Sequence, residues 1–181
     1  MKPIVYQDVD GVLLQFPEWR TREWWQHYAI EGCVAAEGAK EYLEWIVEHA
    51  EVRWATAWCT RGSMEGYTAT RLAKALDVSV ELVMSIKNDL GWQGYKTQCI
   101  NWQEHEEGRS WIWVDDEHSR EEWEELEERG ATNNLVKVNT SKYPYQLAHL
   151  LDELKGSYSK HLAYQYLAYN KFHIPNWDIL S

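Results

Sequence analysis

A chain of 181 residues is long enough for one domain with a real core, and its 45% hydrophobic and 26% charged residues are those of a soluble globular protein. The formal charge of −11 excludes strong non-specific binding to nucleic acid or to an anionic membrane, because either needs a positive footprint. No apolar stretch approaches the roughly 20 residues that span a bilayer, and the amino terminus lacks the apolar run of a signal peptide, so a cytoplasmic protein is expected.

In chain order, Ile4 to Asp8 is a short apolar run followed by Val9, Asp10 and Gly11. It reads as a buried strand ending in a tight turn, with Asp8 and Asp10 at the carboxyl end, where open α/β sheets bind ligands. A surface Asp-x-Asp-Gly turn is the alternative. Ala39 to Ala50 follows, with Leu43, Ile46, Val47 and Ala50 on one helical face. Val52 to Thr56 and Val80 to Met84 read as strands, separated by a helical stretch from Ser63 to Leu76. Tyr95 to Glu104 reads as a helix, and Ser110 to Asp115 as a strand. The best-marked helix spans about Arg120 to Arg129. Ser119 and Glu122 form a capping box, Gly130 supplies a left-handed stop, and Trp123 and Leu126 face inward. Leu135 to Val138 is the last strand candidate.

This alternation predicts an α/β fold with three α/β/α layers, Rossmann-like, around a mainly parallel sheet. Residues 1–155 would form the core. The aromatic stretch 156–181, with Tyr158, Tyr164, Tyr166, Tyr169, Phe172 and Trp177, would be a helix and tail packed on it or a partner-binding arm.

Two clustered acids repel, so a fold keeps Asp8 and Asp10 together at low cost only if a cation or a proton offsets them. Three further features fall at strand ends or helix starts. Thr56 closes one apolar run, Lys96 opens a helical stretch, and Asp115 and Asp116 end another apolar run. Each has a plainer reading. Thr56 suits a strand, Lys96 could be a surface lysine with Lys87 as its rival, and Asp115 and Asp116 could sit at the positive end of the following helix. Glu117 and His118 fit helix-start or solvent positions. The histidines form no HxH or HxxxH pair, which argues against zinc. Cys33, Cys59 and Cys99 form no CxxC pair and read as reduced thiols. Twelve tryptophans against two phenylalanines place large amphipathic side chains in the core and at its rim, or on a stacking surface.

In the order DxDGV, strand-Thr, Lys, strand-Asp-Asp, these residues from Ile4 to Glu117 resemble the four-motif signature of the haloacid dehalogenase (HAD) superfamily of phosphotransferases. Trp54-Ala55-Thr56-Ala57-Trp58 and Trp113-Val114-Asp115-Asp116-Glu117 resemble small bacterial and phage HAD hydrolases, some of them similar to phosphatase domains of RNA-repair proteins. The resemblance implies a magnesium ion held by the Asp8 carboxylate, the Asp10 backbone carbonyl and Asp115, with Asp116 acting directly or through water. It implies Asp8 as the nucleophile that forms an aspartyl-phosphate, and Asp10 as general acid and base. Thr56 would bind a phosphoryl oxygen, and Lys96 would offset charge on Asp8 and on the transferring group. An acid at position 10 goes with phosphatases and phosphomutases within the superfamily.

About 25 residues separate Gly11 from the next helix, short of the roughly 50 of a small domain, so no separate cap domain is expected. Trp19, Trp24 and Trp25 are candidates to line the entrance, and Arg61 is a weak candidate to touch a second substrate group. The expected function is a magnesium-dependent phosphomonoester hydrolase acting on a small metabolite, a nucleotide or an exposed macromolecular phosphate. The alternatives are a catalytically silent HAD-like domain that binds phosphate or protein, and a 3′-phosphatase acting on nucleic-acid ends.

Overall fold

The computed structural model describes residues 2–16, 33–59, 61–64 and 66–159. Trp19, Trp24, Trp25, His27 and the aromatic side chains from Tyr158 to Trp177 lie outside the described residues. The elements in order are β1 (Ile4–Gln7), β2 (Leu14–Gln15), β3 (Val34–Ala35), α1 (Ala39–His49), β4 (Glu51–Trp54) and β5 (Gly62–Ser63). There follow α2 (Gly66–Leu76), α3 (Val80–Ser85), β6 (Lys87–Asn88), a 3-10 turn (Lys96–Cys99), α4 (Trp102–Glu106) and β7 (Trp111–Asp115). The described chain closes with α5 (Arg120–Glu128), a second 3-10 turn (Thr132–Asn134), β8 (Leu135–Lys137) and α6 (Gln146–Ser159).

Four strands form one parallel sheet in the order β4-β1-β7-β8. The chain leaves β1, passes through α1 to β4 on one side, and later returns to β7 on the other. That reversal opens a crevice at the carboxyl end of β1, the usual ligand position in such sheets. Register sets the depth: Gln7 pairs with Trp54 on one side and Val114 on the other, so Asp8, Ala55 and Asp115 come next at the same level.

Both sheet faces are covered, which explains the continuous apolar runs. On one face Val5, Val52, Trp54, Ile112, Val114 and Val136 join one cluster with residues of α1, α2 and α6. On the other, Ile4, Tyr6, Trp111 and Trp113 pack with Leu126 of α5, Ala131 and Cys99. The α/β three-layer expectation therefore holds. Trp54, Trp111 and Trp113 are buried in the core, and Trp45, Trp58, Trp92 and Trp102 pack partly buried at its rim.

Three expected elements need correction. Val80 to Met84 is not a strand but the start of α3. Ser79 caps it by accepting a hydrogen bond from the Leu82 amide at 3.1 Å, after a left-handed Asp77 has turned the chain. Only Val83 of this helix is buried, so its β-branched residues had no sheet face to fill. The stretch Ser63 to Leu76 divides: Gly62–Ser63 pairs antiparallel with Lys87–Asn88, and the helix starts at Gly66. Tyr95 to Glu104 also divides, because Ile100 is extended and Asn101 caps a new helix through the Glu104 amide. A further helix, α6, was not anticipated, although Leu147, Leu150, Leu151 and Leu154 mark its buried face.

Candidate active site

Asp8 follows β1 directly, with its amide bonded to the Val114 carbonyl at 3.1 Å. Its side chain is 2% exposed, and that of Asp115 at the end of β7 is 1% exposed. Thr56, also buried, hydrogen-bonds the Asp8 carboxylate from the end of the neighbouring strand. Lys96 reaches across from its 3-10 turn. Its Nζ lies 2.7 Å from Asp8 Oδ2 and 2.8 Å from Asp115 Oδ1. Lys87, the rival lysine, is exposed on β6 beside Ser63 and takes no part in this contact. Arg61 is exposed in the loop leading to β5.

Asp8, Asp115 and Asp116 each offer a carboxylate oxygen, and these atoms all lie within 4.8 Å of one another. At an effective dielectric of 20, two unit charges at that distance repel by about 3 kcal/mol. One ammonium bridging two of the three acids offsets only part of this.

The titration of the cluster follows. Burial raises the Asp8 pKa, with Lys96 opposing. Burial and then the Asp8 charge push Asp115 well above the carboxylate range, again against Lys96. Asp10 is pushed up to about 8, by burial first and by Asp8 second. For Lys96, burial alone would lower the pKa, but Asp8 and Asp115 outweigh it and hold the ammonium charged. Three buried acids with raised pKa values around one cation form a site short of positive charge. Hard carboxylate oxygens at this spacing fit a magnesium ion, which takes one or two carboxylates and completes its shell with water and substrate phosphate.

Several supports were not legible as site residues. The indole Nε1 of Trp113 donates to Asp115 Oδ2 at 2.8 Å, and the Glu117 amide donates to Asp115 Oδ1 at 3.0 Å. Residues two apart on a strand share a face, so the Trp113 contact was available from strand periodicity. The Trp58 indole Nε1 donates to Asp10 Oδ2 at 2.9 Å, whereas Asp10 Oδ1 is buried with no hydrogen-bond partner. Gln7 links α1 to the strand end: it accepts from the Tyr42 hydroxyl at 2.8 Å and donates to the Asp8 carbonyl at 2.7 Å. Glu122 is 6% exposed and works twice. One of its oxygens accepts from the Ser119 amide at 2.7 Å, closing the expected capping box, and the other accepts from the Lys96 amide. His118 packs against Trp123 and is not part of the acid cluster, which comprises Asp8, Asp115 and Asp116.

The turn after Asp10 is pinned from outside. The Thr140 hydroxyl donates to the Gly11 carbonyl at 2.9 Å, and its amide bonds to the same oxygen at 2.7 Å. Gly11 has φ +69°, and a Cβ there would lie 2.1 Å from Asp116 Oδ2. Gly11→Ala is therefore expected to cost about 1–3 kcal/mol in backbone strain and more from the clash. Gly130→Ala, at φ +64° with open space around it, carries the strain alone. Thermal unfolding of both variants separates the terms: Gly11→Ala must lose clearly more than Gly130→Ala.

Residues 4–143 match the family described as the HAD domain in Swiss Army Knife RNA repair proteins. No curated protein and no solved structure matches the chain. Among the described residues, no helix is long and apolar enough to cross a membrane. With the match covering most of its length and the motif acids gathered at one sheet end, the chain belongs to this HAD domain family, within a superfamily of hydrolases.

Proposed function

We propose that this protein is a magnesium-dependent phosphomonoesterase working through Asp8, with the phosphorylated end of an RNA strand as its substrate class. The carrying observation is the convergence of Asp8, Asp115 and Asp116 within 4.8 Å, with Lys96 bonded to two of them. The RNA end is supported by the family's description as a domain of RNA repair proteins. The charge of −11 requires that recognition be local, centred on the terminal phosphate instead of a long backbone contact.

In this reading Asp8 attacks phosphorus and carries the phosphoryl group as an aspartyl-phosphate, which water then hydrolyses. Asp10, pushed up to about 8 in the metal-free protein by burial and then by Asp8, is suited to carry a proton and hand it to the leaving oxygen. Lys96 draws charge from Asp8 and from the transferring group in a site with little water. Thr56 holds Asp8 in the free protein and offers its hydroxyl to a phosphoryl oxygen when substrate arrives. Asp8, the Asp10 carbonyl, Asp115 and Asp116 would hold the magnesium ion. Bound there, it supplies the positive charge that lets a carboxylate approach a phosphate dianion.

The test is a panel of 3′- and 5′-phosphorylated oligoribonucleotides, mononucleotides and sugar phosphates, assayed for phosphate release with magnesium and with chelator. The expected result is magnesium-dependent release that is fastest from one oligonucleotide end. Equal or faster turnover of sugar phosphates would refute the RNA-end assignment, and no release from any ester would refute the phosphatase.

A further inference from the structure

We propose that Trp58 is a positioning residue for Asp10: its indole N–H occupies one carboxyl oxygen and leaves the other as the oxygen that exchanges protons with substrate and water. The inference rests on the phosphatase reading above and adds a residue that the four-motif order does not contain.

The geometry is specific. Trp58 Nε1 donates to Asp10 Oδ2 at 2.9 Å, and Asp10 Oδ1 is buried without a hydrogen-bond partner. An indole only donates, so the oxygen facing it must be an acceptor. In the protonated acid the hydroxyl is then Oδ1, because flipping the carboxyl would set O–H against N–H. The same tryptophan is anchored at its other end. Its backbone amide lies 3.5 Å from the Thr56 hydroxyl, and its ring packs against the main hydrophobic cluster. One residue thus spans the ends of β1 and β4, and its ring is held by the core.

The steps balance with this assignment. An Asp8 oxygen bonds to phosphorus, the ester P–O bond breaks, and the Oδ1 proton passes to the leaving oxygen to give the free alcohol. In the second step water bonds to phosphorus, the acyl-phosphate P–O bond breaks, and Oδ1 takes the water proton. Inorganic phosphate is released, and the Asp8 carboxylate and the protonated Asp10 are regenerated. A carboxyl free to rotate would present Oδ1 correctly only part of the time, and the loss falls on leaving groups that need a proton.

The experiment compares kcat/KM for an alkyl phosphate and for dinitrophenyl phosphate, whose leaving group needs no proton. Trp58→Phe keeps the ring and removes the donor. Its loss on the alkyl ester should exceed its loss on the dinitrophenyl ester by about 10- to 100-fold, a part of the roughly 10²–10⁴ that general acid catalysis supplies. Asp10→Asn should show the same leaving-group dependence, and the double variant should lose little beyond Asp10→Asn alone. Equal losses on both esters, or fully additive losses, would overturn the assignment.

A second readout does not depend on turnover. In ¹⁵N-indole spectra, the resonance that vanishes in Trp58→Phe should shift in Asp10→Ala, and an unmoved resonance would also overturn the proposal. Asp8→Asn runs alongside: activity retained there ends the Asp8 nucleophile on which this reading rests, while the indole spectrum still decides the Trp58 contact.

Discussion

Asp8→Asn releases phosphate at less than about one thousandth of the wild-type rate, a loss of at least 4 kcal/mol in transition-state stabilisation at about 1.4 kcal/mol per factor of ten. The amide has nearly the shape of the carboxylate but cannot attack phosphorus. It also removes one of the two anions that hold Lys96 and one of the three oxygens of the acid cluster. The fold should survive, because the substitution relieves buried like-charge repulsion on Asp115 and Asp10. Circular dichroism and thermal unfolding check that the inactive variant is folded, and initial rates on the best ester check the loss. Turnover within tenfold of wild type in a folded Asp8→Asn protein would end the nucleophile assignment.

The second large effect is on stability, and its sign runs against the habit of carboxylates. Asp10 has a folded-state pKa near 8, far above its value in an unfolded chain, with burial as the first cause and Asp8 as the second. Between those two values the folded state binds the extra proton, so metal-free stability falls as pH rises. The useful window is pH 6.5 to 8. Below it His105, held at about 4 by burial, works in the opposite sense, because the unfolded chain takes up its proton first. Glu51 and Glu104, lowered by their arginine partners against burial, act only at still lower pH. Lys96 is raised and contributes until well above the window.

In chelator, then, the wild type should lose about 1–2 kcal/mol from pH 6.5 to 8, read as a Tm drop of roughly 2–8 °C for a chain of this size. Asp10→Asn should make that slope shallower, the remainder coming from Asp8 and Asp115, whose pKa values burial also raises. Magnesium at 100 times its Kd should add about 2.7 kcal/mol at pH 8, enough to reverse the loss. A Tm that rises over this window in chelator, or ignores magnesium, would mean that the acids are not short of positive charge.

Much of this was readable from the chain because the information was local. The apolar runs at Ile4, Val52, Ser110 and Leu135 became the four parallel strands, with the central two continuously buried and the edge strand at Val52 alternating with Glu51 and Arg53. Asp8, Thr56 and Asp115 could be placed together because each closes such a run, and parallel pairing in register puts Asp8 level with Asp115 and Thr56 one residue beyond that level. The choice of Lys96 over Lys87 was not local. Both are lysines next to turns, and what separates them is which one the tertiary fold aims at Asp8 and Asp115.

The failures have the same physical origin. Val80 to Met84 has strand-forming composition, but its Ser79 cap and the turn at Asp77 made it a helix. The Trp58 contact with Asp10 joins residues 48 apart and carries no spacing signal. Gln7 read as the polar end of a strand, and its two hydrogen bonds depend on where α1 sets Tyr42.

Glu122 was met as a helix cap, and its other oxygen has a consequence for how the site is held. The amide of Lys96 hangs on the same side chain that starts α5. Were the first turn of that helix to fray, the Lys96 backbone would lose this hydrogen bond while its ammonium stayed bonded to Asp8 and Asp115. The start of α5 and the backbone that presents the lysine are thus one mechanical unit, so the helix cap also sets where the positive charge of the acid cluster stands.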